Sequence, residues 1–180
     1  MKKFLIAVAL IFIASAFRTV WHVAANVELV TLATFLAATY LGYGWAILVP
    51  LATMALTDKS IGTTNIFIFV WLAYGIIGLV DWLMIKKSGK DKIVLKQTIM
   101  ALFTSVFFYL FTNFGVWALD EWGMYTRSLP GLINCYIMGI PFYRNNFVGN
   151  LILIPVGFWL IETVINWAQR LKIATQKIKT

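Results

Sequence analysis

From Leu29 to Thr57 the chain carries no charged side chain. Built as a single helix, that run would be ~43 Å long, well beyond a hydrocarbon core of ~30 Å. It must therefore turn. Gly42 and Gly44 bracket Tyr43 near its middle, a turn signal inside an apolar pattern. Two short helices, at about 29–42 and 45–57, satisfy both constraints.

The remainder of the chain supports a membrane setting. Of 180 residues, 61% are hydrophobic and 12% charged, where a soluble domain carries about 25% charged residues. Several apolar runs approach spanning length, and no polar stretch is long enough to hold a separate core. The predicted fold is all-α. It is one polytopic domain over residues 1–180, a six-helix transmembrane bundle with spans at about 4–22, 29–42, 45–57, 62–85, 94–117 and 147–168. The start, Met1-Lys2-Lys3 followed by an apolar run to Ala14-Ser15-Ala16, imitates a secretory signal. Apolar character continues through Val20 and Trp21, so an uncleaved first span is expected.

Charge sets the orientation. The formal net charge is +8, but the basic residues cluster beside apolar runs, which is how lysine marks the cytoplasmic side; no nucleic acid is implied. With "KKSGKDK" at 86–92 and the tail "RLKIATQKIKT" inside, both termini are expected on the cytoplasmic side. Only Arg18, Lys59, Arg127 and Arg144 then fall outside, leaving eleven of the fifteen basic residues within. Residues 118–146 are too many for a featureless loop. Ser128 can cap a helix, Pro130 suits its first turn, and Gly139 with Pro141 can end it. A short extra helix on the outer face is expected there.

Polar side chains converge at the outer level. The candidate ligand-binding set is His22, Asn26, Glu28, Asp58, Asn65, Asn113, Trp117, Asn134, Tyr136, Asn146 and Asn150, with Asp120, Glu121 and Trp122 at the same level. Asparagine in apolar surroundings is costly without a partner, and pockets combine apolar walls with a few placed polar groups. Each residue alone also has a structural explanation: Trp and Tyr anchor at interfaces, and Asn satisfies turns. Two acids, Asp81 and Glu162, lie inside apolar runs. Such acids mark ion pathways or coupling surfaces, or else pair with a nearby base such as Lys86, Lys96 or Arg170. Ala33, Ala37, Ala38 and Gly42 form a small-residue face, fit for close approach by a helix of the bundle or of a partner subunit.

Catalysis has little support. A single histidine and a single cysteine, Cys135, exclude a multi-His metal site or a disulfide within the chain. There is no HExxH, GxSxG or phosphate-binding glycine loop. No cofactor and no metal is expected, and any active transport needs an energy source outside this chain.

Four stretches, "NVELVTLATFLAATYLG", "ILVPLATMALTD", "FFYLFTNFGVW" and "SLPGLINCYIMGIPFYRNNFVGNLI", resemble an uncharacterised family of small bacterial integral membrane proteins. These in turn are similar to the substrate-binding S components of energy-coupling factor (ECF) transporters. The resemblance implies six helices, an outward site for a vitamin-like or other trace nutrient, and docking on a coupling transmembrane subunit with two ATPases. S components often present Ala-x-x-x-Ala in the first helix; here the nearest equivalent is Ala33 and Ala37 in the second. The expected function is the substrate-binding subunit of an ECF-type importer. The alternatives are a membrane scaffold of similar fold without a transported ligand, and, third, a membrane enzyme using the outer cluster, with His22 or Glu28 close to a second acid.

Overall fold

A computed structural model of the chain describes residues 1–21, 26–62, 64–120 and 122–178, with side chains to Ile173. The described residues form six helical elements: α1 (Lys2–Thr19), α2 (Val30–Leu36, continuing as a π-helical turn, Ala37–Leu41), α3 (Tyr43–Ile61), α4 (Phe67–Ser88), α5 (Ile93–Leu119) and α6 (Leu129–Ile178). Among the described residues, three helical segments are long and apolar enough to cross a membrane: Phe67–Ser88, Ile93–Leu119 and Leu129–Ile173. The fold is thus all-helical with membrane-helix character.

The uncharged run breaks at Gly42. Its φ of 108° and ψ of −179° form a backbone conformation open essentially to glycine alone. The free carbonyl of Leu41, just before the break, accepts a hydrogen bond of 2.9 Å from Lys3 Nζ. A basic side chain from α1 thereby satisfies one orphan carbonyl at the end of α2.

α2 is the centre of the molecule. It touches α1, α3, α4 and α6, and Val30, Thr31, Ala33, Thr34, Phe35 and Leu36 are all buried. Two of these, Thr31 and Thr34, are polar and would be costly facing lipid, and the neighbouring helices that enclose α2 shield them. The small-residue face is used inside the chain: Ala33, Ala37 and Ala38 are buried. Around α2, α3 packs on α1 and α4, α4 on α5, and α5 most extensively on α6. The α3–α4 contact is close because Gly78 has no side chain. A Cβ there would stand 2.1 Å from the Ala46 carbonyl oxygen.

The contacts also set the polarity of the bundle. Lys3 meets Leu41, and Lys90 Nζ lies 4.4 Å from the Tyr40 ring centre. These residues and the 86–92 turn share one end, the lysine end. Arg18, Glu28, Asp58 and Trp71 meet at the opposite end.

One expectation is corrected. Residues 129–178 form one continuous helix rather than a short outer helix followed by a separate span at 147–168. At 1.5 Å per residue it is about 75 Å long. Its start is as expected, with Gly131 N–H donating to Ser128 Oγ at 3.3 Å. Gly139 and Pro141 do not end it. Proline lacks only its own N–H, a loss that packed apolar helices tolerate, and Gly139 lies against α5, where its missing side chain permits contact. Among the described residues, no base pairs with Asp81 either. Asp81 is fully buried and hydrogen-bonded to Gln97, while Glu162 accepts from Tyr40 Oη.

Candidate functional site

The last turn of α1 brings Arg18 into the interior at the end opposite the lysines. Its Nε lies 3.2 Å from Glu28 Oε1, and its Nη1 pairs with Asp58 Oδ1 and Thr57 Oγ1. Asp58 Oδ2 accepts from Trp71 Nε1 at 2.8 Å. The arginine thus joins α1, the 26–29 segment and α3, and Trp71 adds α4. A guanidinium offers five donors in a fixed fork, which suits it to gather several acceptors at once.

Above this group lies a cavity of about 510 Å³, within the range of small-molecule sites. Arg18, Glu28, Asn26, Asn113 and Asn146 are its polar walls. Met54, Tyr74, Phe108, Trp122, Met124, Met138 and Phe142 supply apolar and aromatic surface.

The Asn113 and Asn146 side chains are held by backbone or by another amide. Asn26 sits in a left-handed conformation, φ 62°, which asparagine tolerates better than most residues. Asn113 Nδ2 donates to the Tyr109 carbonyl at 2.8 Å, one helical turn back. Its Oδ1 lies where a Cβ on Gly139 would come within 2.4 Å. Asn146 Nδ2 donates to the Asn26 carbonyl at 3.4 Å and its Oδ1 accepts from Asn150 Nδ2 at 3.1 Å. Asn150 also donates to Ser105 Oγ at 3.0 Å. A polar chain therefore runs from the cavity into the α5–α6 interface.

The stretch after α5 is ordered by its own polar residues. Asp120 takes a left-handed φ of 41° and accepts from the Met124 N–H at 2.8 Å and from the Tyr125 N–H at 3.3 Å. Arg127 donates to the carbonyls of Trp117, Ala118 and Leu119, capping α5. Trp117 Nε1 donates to the Thr126 carbonyl at 3.0 Å. The result is a compact loop that presents Trp122, Met124 and Tyr125 to the cavity. Burial raises the Tyr125 phenol above its ordinary value, with Cys135 and Asp120 adding to the effect. It stays a hydrogen-bond donor at neutral pH.

The polar residues singled out in the sequence divide into three groups. Asn26, Glu28, Asn113 and Asn146 line the cavity, and Trp122 joins them from the loop. Asp58 and Asn150 stand one step behind, through Arg18 and Asn146. The others lie elsewhere. Asn65 is exposed before α4 and Asn134 is exposed on α6. Trp117 secures the loop, and Tyr136 Oη donates to the Leu110 carbonyl at 3.1 Å. His22 and Glu121 fall outside the described residues. Arg18 is the residue that sequence reasoning passed over as a site member. Its signal was available, because a lone arginine in an apolar run requires an acid.

A profile of a family of unknown function, DUF6580, matches residues 1–173. The chain belongs to that family. The match takes in every cavity-lining residue and all but the last few residues of α6. No curated protein and no solved structure matches the chain.

Proposed function

We propose that this protein is the substrate-binding membrane subunit of an ECF-type importer, taking a vitamin-like or other trace nutrient from the outer face of a bacterial inner membrane. The observation that carries the reading is the cavity: four polar residues from three separate segments, Asn26 and Glu28 before α2, Asn113 on α5 and Asn146 on α6, face one space of about 510 Å³. A scaffold without a ligand has no need of such a space. The positive-inside pattern supports an outward cavity with both termini in the cytoplasm. A coupling subunit and its ATPases would supply the energy. Because Ala33, Ala37 and Ala38 are buried in the chain's own core, that subunit would engage another surface.

Charge narrows the solute class. Arg18 is already matched by two carboxylates, Glu28 and Asp58, so the group favours a neutral or cationic solute over an anion. The aromatic walls favour a flat or ring-bearing body, and the amides supply directed hydrogen bonds.

The test is a thermal-shift and native mass-spectrometry screen of the detergent-purified protein against vitamins, their precursors and metal chelates. A binding solute should raise Tm in the wild type. Gly139→Ala, which forces the Asn113 amide out of its place, should weaken that solute about tenfold, the equivalent of one lost hydrogen bond at ~1.4 kcal/mol. If no compound shifts the wild type, or Gly139→Ala binds equally well, the cavity is not the solute site.

A further inference from the structure

Toward the lysine end a second polar group is sealed inside the bundle. Asp81 on α4 and Gln97 on α5 have no solvent exposure, and Thr39 in the π-helical turn of α2 is buried beside them. Gln97 Nε2 donates to Asp81 Oδ2 at 3.2 Å and to Thr39 Oγ1 at 3.1 Å. Both amide hydrogens are thereby used. Asp81 Oδ1 and Gln97 Oε1 are left buried with no hydrogen-bond partner.

Native interiors rarely leave one such acceptor unmatched, and an ionised carboxylate in an apolar interior needs a counter-charge. Of the charged groups on the surrounding elements, Lys2, Lys87, Asp91 and Lys92 are exposed, and the others are engaged elsewhere. Lys3 caps the Leu41 carbonyl, Lys90 lies over Tyr40, and Lys86 lies over Trp82. Lys96 donates to the carbonyls of Ser88 and Gly89. Glu162 accepts from Tyr40, and the ion pairs among the described residues both belong to Arg18 at the other end. No cation among the described residues forms an ion pair with Asp81.

We propose that Asp81, Gln97 and Thr39 form a buried site for one small monovalent cation, a proton or Na⁺. The two unmatched oxygens belong to groups already joined by the Nε2–Oδ2 bond. One positive charge supplies what both lack. A proton on the carboxyl neutralises it and adds a donor, whereas Na⁺ is a hard cation that takes carboxylate, amide and hydroxyl oxygens together. The three contributing elements, α2, α4 and α5, meet only in the tertiary structure. π-Helical turns recur at functional positions because they redirect side chains and free backbone groups. Occupancy would couple the core helix to its neighbours. The site is separate from the solute cavity, and the proposal stands whether or not that cavity binds a solute.

The experiment is tryptophan-fluorescence melting of the detergent-purified full chain. One series titrates NaCl against choline chloride at constant ionic strength and pH 8; the other runs from pH 5 to 9 without Na⁺. For Na⁺, the wild-type Tm rises saturably, by about 5–10 °C at a hundredfold excess over Kd, and choline does nothing. For a proton, the Tm falls as pH rises and Na⁺ adds nothing. In either case Asp81→Asn loses the dependence. Should that variant fail to fold, infrared spectra of wild type with ¹³C-labelled aspartate report the buried carboxyl directly. A protonated C=O band that disappears with pH, or a carboxylate band shifted by Na⁺, supports the site. A wild type indifferent to Na⁺ whose pH profile matches that of Asp81→Asn overturns the proposal; so do infrared bands unmoved by either cation.

Discussion

Arg18→Met is expected to be among the most damaging single substitutions in this protein, lowering stability by ~3 kcal/mol, or Tm by roughly 6–12 °C. The side chains it leaves behind are an acid pair, Glu28 and Asp58, with relative exposures of 23% and 12%. Breaking a buried ion pair by removing one partner costs about 3–5 kcal/mol. The lower end applies because Glu28 keeps some access to water. The cost comes from the stranded charges rather than from the value of the pair itself. Hence the triple variant Arg18→Met, Glu28→Gln, Asp58→Asn should recover most of the loss. Melting of the three proteins, wild type, single and triple variant, side by side checks this. If the single variant melts with the wild type, the arginine does not hold α1, α3 and the 26–29 segment together.

Gly78→Ala should be of similar size for an unrelated reason. The added Cβ would lie 2.1 Å from the Ala46 carbonyl oxygen and 2.8 Å from its carbon. Both are backbone atoms and cannot swing aside. α3 and α4 must separate, which opens packing along the interface. Overpacking typically costs 1–3 kcal/mol, and a backbone obstacle puts this case at ~3 kcal/mol, again about 6–12 °C. Gly75→Ala on the same helix is the control. A Cβ there meets nothing within 4 Å, so relief of glycine's backbone entropy should stabilise by ~0.5–1 kcal/mol. Two Gly-to-Ala changes three residues apart are thus expected to shift Tm in opposite directions. If both variants melt alike, the close approach of α3 and α4 is not real.

Much of the local architecture was readable in advance. The helical break at Gly42 follows from an uncharged run too long for one span with a glycine near its middle. The helix start after Ser128 follows from a capping hydroxyl and a proline in the first turn. Each is a backbone matter settled by a few adjacent residues. The same kind of local signal misled at Gly139 and Pro141. Their helix-ending tendency was outweighed by the packing of α5 against α6, for which a glycine at 139 is a requirement rather than a break.

The polar cluster was legible as a tendency and not as a site. Asparagines at one level of an apolar protein need partners, and that need identified Asn26, Asn113 and Asn146 as candidates. It could not separate them from Asn65 and Asn134, which the fold leaves exposed. The distinction depends on which side of a helix faces its neighbour.

Apolar content, helical periodicity and the glycine at 42 were enough to specify an all-helical chain with membrane-helix character, because lipid and chain geometry act on each segment separately. Partners were another matter. Arg18 finds acids 10 and 40 residues away, Gln97 finds a threonine 58 residues away, and α2 becomes the core only when four helices close around it. Electrostatic and packing terms depend on distances in space, and no spacing along the chain encodes them.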